Sequence, residues 1–156
     1  MEESTKKTKH CKYICNKYGP NRGAHKYIRK MLEGFNKDLD SNTIIAGDFN
    51  TPLSKMGRSS KQNINKNTAA LNKVLDQMNL TDIYRAFHPK DAKYTFFSNA
   101  RATFSKIDHM IGHKTNLSKF KKIEIISSIF LDHKSLKLET KPKEKNSETL
   151  KLMEIE

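Results

Sequence analysis

The stretch "TIIAGDFNTPLS", residues Thr43 to Ser54, runs from an apolar segment directly into Gly-Asp-Phe-Asn and then Thr-Pro. Thr43-Ile44-Ile45-Ala46 is a short β-branched run, the pattern of a strand covered on both faces. A carboxylate at Asp48 and an amide at Asn50 would be costly to bury there without partners. The stretch therefore predicts a strand whose end opens on a polar site. In α/β folds ligands bind outside the sheet at strand ends, where side chains from several strands converge.

Working outward, "GAHKYIRKMLEGFNKDLD" upstream sets Tyr27, Ile28, Met31, Leu32, Phe35 and Leu39 at helical spacing, with Lys26, Arg29, Lys30 and Lys37 on the other face. Downstream, the polar basic loop "SKMGRSSKQNINKN" leads to a second helix marked by Leu71, Val74, Leu75 and Met78, with Asn67 or Thr68 as its cap. Short strand-like pieces follow at Ile83-Tyr84, Tyr94 to Phe97, Thr103 to Gly112, Ile123 to Ile126 and Ser135 to Glu139, spaced as hairpins of a mixed sheet. Helix beside strand predicts an α/β (α+β) layer arrangement. The organisation expected is a basic, poorly structured lead over 1–17, a folded unit over 18–139 that opens on the turn "YGPN", and a charged tail over 140–156 that breaks at Pro142.

A chain of 156 residues fits one domain. With 30 Lys+Arg against 17 Asp+Glu, the formal net charge of +13 favours a polyanionic partner, nucleic acid or an anionic membrane. The excess is uneven, with nine basic residues and no acid between Lys6 and Lys30 and a further "KFKK" at Lys119 to Lys122. No apolar stretch is long enough to span a bilayer, and "MEESTKKTKH" lacks the hydrophobic segment of a signal peptide. An intracellular protein, nuclear or cytoplasmic, is expected, with Cys11 and Cys15 as reduced thiols. His10, Cys11 and Cys15 lack an evident fourth partner for a zinc site.

Three clusters put acids, amides or imidazoles at the end of a strand-like run: Asp48 and Asn50 after "TIIAG", Ser105 and Asp108 in "SKID", and Asp132 and His133 after "IISSIFL". Phosphodiester hydrolysis needs a carboxylate to orient or deprotonate water, donors for the phosphate oxygens, and a hard cation to offset charge in the transition state. Asp48 suits the first role and Asn50 the second. His133, held in one tautomer by a carboxylate such as Asp108, suits a phosphate donor or proton carrier, and Asp132 suits a magnesium anchor. Each residue alone has a plainer use, as a turn former or helix cap, and His109 and His113 read as surface or strand residues without a chemical role.

"GDFNTPL", "YTFFS", "SKIDH" and "LDHKSLKLE", in this order and at these intervals, resemble the endonuclease domain of long interspersed element (LINE) retrotransposons, a branch of the exonuclease-endonuclease-phosphatase superfamily. The likeness runs from about Tyr18 to Glu139 and includes "YGPNRGAHKYI" and "DLDSNTIIAGDFN". It implies two packed β-sheets flanked by helices and a magnesium-dependent (or manganese-dependent) cutter of phosphodiesters. By this resemblance Asp48 acts on the attacking water, Asn50 and Tyr18 hold the phosphate, Asp108 orients His133, and Asp132 lies at the metal with Asp48 and Asn50. Thr95, Ser105 and the hairpin through Asn99 and Arg101 contact DNA, Arg101 pairing with phosphate or entering the minor groove.

The departures from the family pattern set further expectations. Family domains begin with a strand bearing an Asn and continue to a Glu that is the principal metal ligand, and no counterpart precedes Tyr18. The chain then corresponds to the C-terminal part of the sandwich, a remnant with weak or no activity alone. The Ser before Asp-His is Leu131, and the usual Ala of the Tyr-Ala-Pro-Asn turn is Gly19. A second reading, a non-catalytic basic module that binds nucleic acid through phosphate contacts, stands beside the first.

Overall fold

The computed structural model describes residues 3–7, 12–16, 22–35, 39–57, 66–127, 134–141 and 149–151. Tyr18, Asp132 and His133, with Leu131, lie outside the described residues. The strand of the opening motif is β3 (Thr43–Asp48), and all six of its residues are buried. It sits at the centre of a five-stranded sheet with β1 (Glu3–Lys7), β2 (Lys12–Asn16), β7 (Asp108–His113) and β4 (Leu80–Asp82), in the order β1-β2-β3-β7-β4. β2 runs parallel to β3, and helix α1 (Ala24–Phe35) connects them, as a parallel pair requires a crossover. β7 runs antiparallel to β3, pairing Ile45 with Ile111, Ala46 with Met110 and Asp48 with Asp108.

Strand alternation divides the core. Ile45 and Ile111 face a layer made by Ile28, Met31 and Leu32 of α1 with Leu71 and Leu75 of α2 (Lys66–Gln77). Ile44, Ala46 and Met110 point the other way, onto α3 (Ile83–Phe87) and onto Ile123, Leu136 and Leu138 of strands β8 (Phe120–Ile126) and β9 (Ser135–Thr140). β8 and β9 belong to a second sheet, ordered β10-β9-β8, that includes β10 (Thr149–Lys151). A separate hairpin joins β5 (Phe96–Ser98) to β6 (Thr103–Ser105). The fold is thus the expected α/β arrangement of packed sheets with helices.

Four local expectations differ from the structure. Ile83-Tyr84, read as a strand, opens α3 instead, because the Asp82 carboxylate accepts the Tyr84 N–H at 3.0 Å and caps the helix. Thr103 to Gly112, read as one strand, is split into β6 and β7, with the break at Lys106-Ile107 tied elsewhere: Lys106 N–H donates to the Gly57 carbonyl at 2.7 Å and Phe49 N–H to the Ile107 carbonyl at 2.8 Å. The lead expected to be poorly structured holds β1 and β2, whose backbone groups pair with each other and with β3. The second helix begins at Lys66, so Asn67 and Thr68, read as its cap, lie within its first turn; the charged tail contributes β10 to the edge of β9. Among the described residues no helix is long and apolar enough to cross a membrane.

Candidate active site

Alternation also explains where the acids fall. Asp48 continues the row Ile44-Ala46 on β3, and Asp108 continues the row of Met110 on β7, so both leave the space between the sheets at the same end. Their Cα atoms are direct partners in the register, so the two side chains share one face as neighbours. Both residues are largely buried, Asp48 at 7% and Asp108 at 4% exposure.

The chain then turns sharply. Asn50 has a positive φ of 51°, a left-handed conformation that Asn tolerates better than most residues. Its N–H donates to the Asp48 carboxylate at 2.8 Å, an Asx-type turn that holds acid and amide side by side. Phe49, fully buried between them, ties this turn to the start of β7 through the Ile107 carbonyl.

Thr95, expected on the DNA face, is 1% exposed and carries a different load: its hydroxyl accepts the N–H of Ile107 at 3.1 Å and of Asp108 at 3.3 Å. Its carbonyl accepts the Lys134 N–H at 2.8 Å, which binds the start of β9 to the same end of the sheet. Ser105 is half-buried on β6, where its carbonyl accepts the Thr95 N–H at 3.1 Å. Asn99 and Arg101 stand exposed at the hairpin tip, which closes through the Ala102 N–H on the Asn99 carbonyl. The structure therefore gathers Asp48, Asn50, Asp108 and Thr95, and holds Asn99 and Arg101 apart on the hairpin.

Sequence reasoning missed a buried charged group behind this site. Lys106, 1% exposed, places its ammonium 2.9 Å from Asp82 Oδ2 and 3.2 Å from His109 Nδ1, donates to the Asp108 carbonyl at 3.3 Å, and lies 5.1 Å from the centre of the Tyr84 ring. His109, also 1% exposed, sets Nε2 2.9 Å from the Thr51 carbonyl, which can only accept, so Nε2 carries the proton. The group thus grips both halves of the site, the turn through Thr51 and the start of β7 through Asp108. Burial pushes the His109 imidazole below its ordinary value and the Lys106 charge adds to this, against the opposing pull of the Asp82 carboxylate, whose Oδ2 lies 2.9 Å from Nδ1. Burial alone would raise the Asp82 carboxyl, but Lys106 and His109 hold it well below the usual carboxylate range.

This arrangement makes stability depend on pH. The His109 pKa is lower in the fold than the ordinary 6.5, so on acidification the unfolded chain takes up its proton first. The contribution is present above about pH 6.5 and is lost as pH falls toward the folded value, at no more than about 1.4 kcal/mol per pH unit. Urea unfolding should show a lower midpoint at pH 5.5 than at pH 7.5, and His109→Gln should flatten that dependence.

The oxygen donors at the end of β3, Asp48 and Asn50, suit a hard cation that takes one or two carboxylates and completes its shell with other oxygens. Among the described residues no cluster of three or more His, Cys, Asp or Glu is poised to hold a metal by itself. Such a site would need further oxygen ligands from water and substrate.

Against known proteins, no protein-family model matches the chain. Among solved structures it is similar to an AP endonuclease from Archaeoglobus fulgidus, at 17% identity and a TM-score of 0.68 over 85% of this chain and 62% of that one. It is similar to the 3′ phosphatase NExo from Neisseria, solved with a product DNA hairpin, at 16% identity and a TM-score of 0.70 over 88% of this chain and 63% of that one. It is also similar to the endonuclease domain of TRAS1, a telomere-specific non-LTR retrotransposon, at 12% identity and a TM-score of 0.64 over 85% of this chain and 59% of that domain. These likenesses establish the fold alone, the mixed α/β arrangement of packed sheets with helices described above. The chain spans 62 to 63% of the length of the first two.

Proposed function

We propose that the chain is the nucleic-acid-cutting part of a LINE-type endonuclease, a hydrolase of DNA phosphodiesters that works with magnesium or manganese and retains weak activity. The observation that carries this reading is the pairing of Asp48 with Asp108 at adjoining strand ends, with the Asn50 turn locked to Asp48. Asp48 orients the attacking water and draws its proton, while the Asn50 amide donates to a phosphate oxygen. Asp108 orients His133, which protonates or steadies the phosphate, and Tyr18 supplies a further donor. Lys134, the residue after His133, is bonded to Thr95, whose hydroxyl holds Asp108; this supports bringing His133 to Asp108. A cation held by Asp48, Asn50 and Asp132 would offset phosphate charge in the transition state. Arg101 and Asn99 on the exposed hairpin hold the duplex.

The test is nicking of supercoiled plasmid with magnesium chloride. Weak nicking is expected, falling about 100-fold or more in Asp48→Ala. Asn50→Gly keeps the left-handed turn and removes the amide, so it should fall comparably while its unfolding midpoint holds. Nicking that survives Asp48→Ala would refute the assignment. The net charge of +13 favours a second reading, a basic binding module without catalysis. That module would lose DNA affinity steeply with salt and bind equally well as Asp48→Ala.

A further inference from the structure

One face of the β5-β6 hairpin has no part in the arrangement above. Phe97 and Phe104 are cross-strand partners with ring centres 4.6 Å apart, and the Tyr94 ring stacks on Phe104 at 5.8 Å with 26° between planes. Phe104 is 47% exposed, the one large apolar side chain so exposed among the described residues. Three rings thus form a ledge on which Phe104 is the most exposed.

The surroundings identify what the ledge takes. Arg101 is exposed at the hairpin tip, Lys134 is exposed beside Thr95, and Lys93, exposed just before the hairpin, has its ammonium 3.7 Å from the Asp91 carboxylate; from Ala92 to Ile107 there is no acidic residue. Aromatic rings flanked by cations are the composition of a surface on which bases of single-stranded nucleic acid stack while the phosphates are neutralised. An apolar protein partner would not call for the cations, and a perfect duplex shows its base faces only when they unstack. Phe104 is four residues from Asp108, at most about 14 Å along the chain, so a base on the ledge lies within reach of the strand bearing the proposed reaction centre.

We infer that the Tyr94-Phe97-Phe104 ledge binds an unpaired base next to the cleaved phosphate, so that the preferred nucleic acid is DNA with a single-stranded or unstacked segment. This rests on the nuclease reading for its position beside a scissile bond, but its binding can be measured without cleavage. The experiment is fluorescence anisotropy of the full chain in calcium chloride at fixed salt, with three fluorescein-labelled probes: a 12-nucleotide single strand, its perfect duplex, and that duplex carrying a three-nucleotide bulge. Phe104→Ala should weaken binding to the single strand and the bulged duplex by about fivefold or more, with the perfect duplex changed less than twofold. Phe104→Trp, which keeps a stacking surface, should restore wild-type affinity, and circular dichroism of both variants checks the fold. Equal affinity of Phe104→Ala and wild type for the single strand would overturn the inference, as would equal losses on all three probes. Absence of DNA binding by the wild type would overturn both readings. A ledge that behaves as expected in a protein that never nicks would sink the nuclease reading alone.

Discussion

Asp82→Ala should destabilise the protein by roughly 3–5 kcal/mol, a large share of the roughly 5–15 kcal/mol that holds a domain of this size together. The Lys106 side chain is 2% exposed and the Asp82 side chain 10%, so removing the carboxylate leaves an ammonium with neither water nor counter-charge. The same substitution removes the cap on α3, since one carboxylate serves both Lys106 and the Tyr84 N–H. Adding Lys106→Met should recover much of the loss, because the pair is balanced against its own desolvation and an apolar replacement of similar volume removes the stranded charge. Urea denaturation of the single and double variants measures the coupling. Two losses that simply add would show that the ion pair is not the source of the effect.

Phe49→Ala should cost about 3–5 kcal/mol through the cavity left by a fully buried ring. Phe49 packs in the layer with Ile28, Leu32, Leu71 and Ile111, and its ring lies 5.4 Å from that of His109. It stands between Asp48 and Asn50, so loosening it disturbs the turn on both sides. Phe49→Leu, closer in volume, should recover part of the stability. Thermal unfolding of the two variants provides the comparison, and equal midpoints for Phe49→Ala and wild type would contradict the packing described.

Much of this core is legible in the sequence. The repeat of Ile28, Met31 and Leu32 marks the buried face of α1, and the run from Thr43 to Ala46 marks a strand buried on both faces. Ile83-Tyr84 was misread because β-branched and aromatic residues suit a strand, whereas the capping bond from Asp82 decides in favour of helix. β1 and β2 were hidden by their lysines, because composition does not reveal that a neighbouring strand supplies backbone partners.

The candidate site divides along the same line. Asp48, Asn50 and Asp108 are recognisable as polar groups ending apolar strands, and their meeting follows from the β3-β7 register. The DNA contact of Thr95 comes from the resemblance alone, and its hydroxyl is turned inward onto two backbone N–H groups. Lys106 gave no signal, since a lysine is rarely buried without a partner and that partner is 24 residues away. A signal for His109 did exist: in "DHMIGH" it alternates with Ile111 on the face turned to α2, so strand parity alone predicts its burial.

In the proposed reaction Asp48, Asn50 and Asp108 act together on one phosphate, with the cation beside Asp48 and Asn50. Manganese, a paramagnetic substitute for magnesium, can be titrated into the 15N-labelled protein with a short DNA strand while the amide resonances are followed. Concerted broadening of the amides of residues 48–50 and 107–109 at the lowest manganese concentrations, reduced in Asp48→Ala, is the result predicted. Broadening that begins elsewhere and leaves these two segments sharp would contradict it.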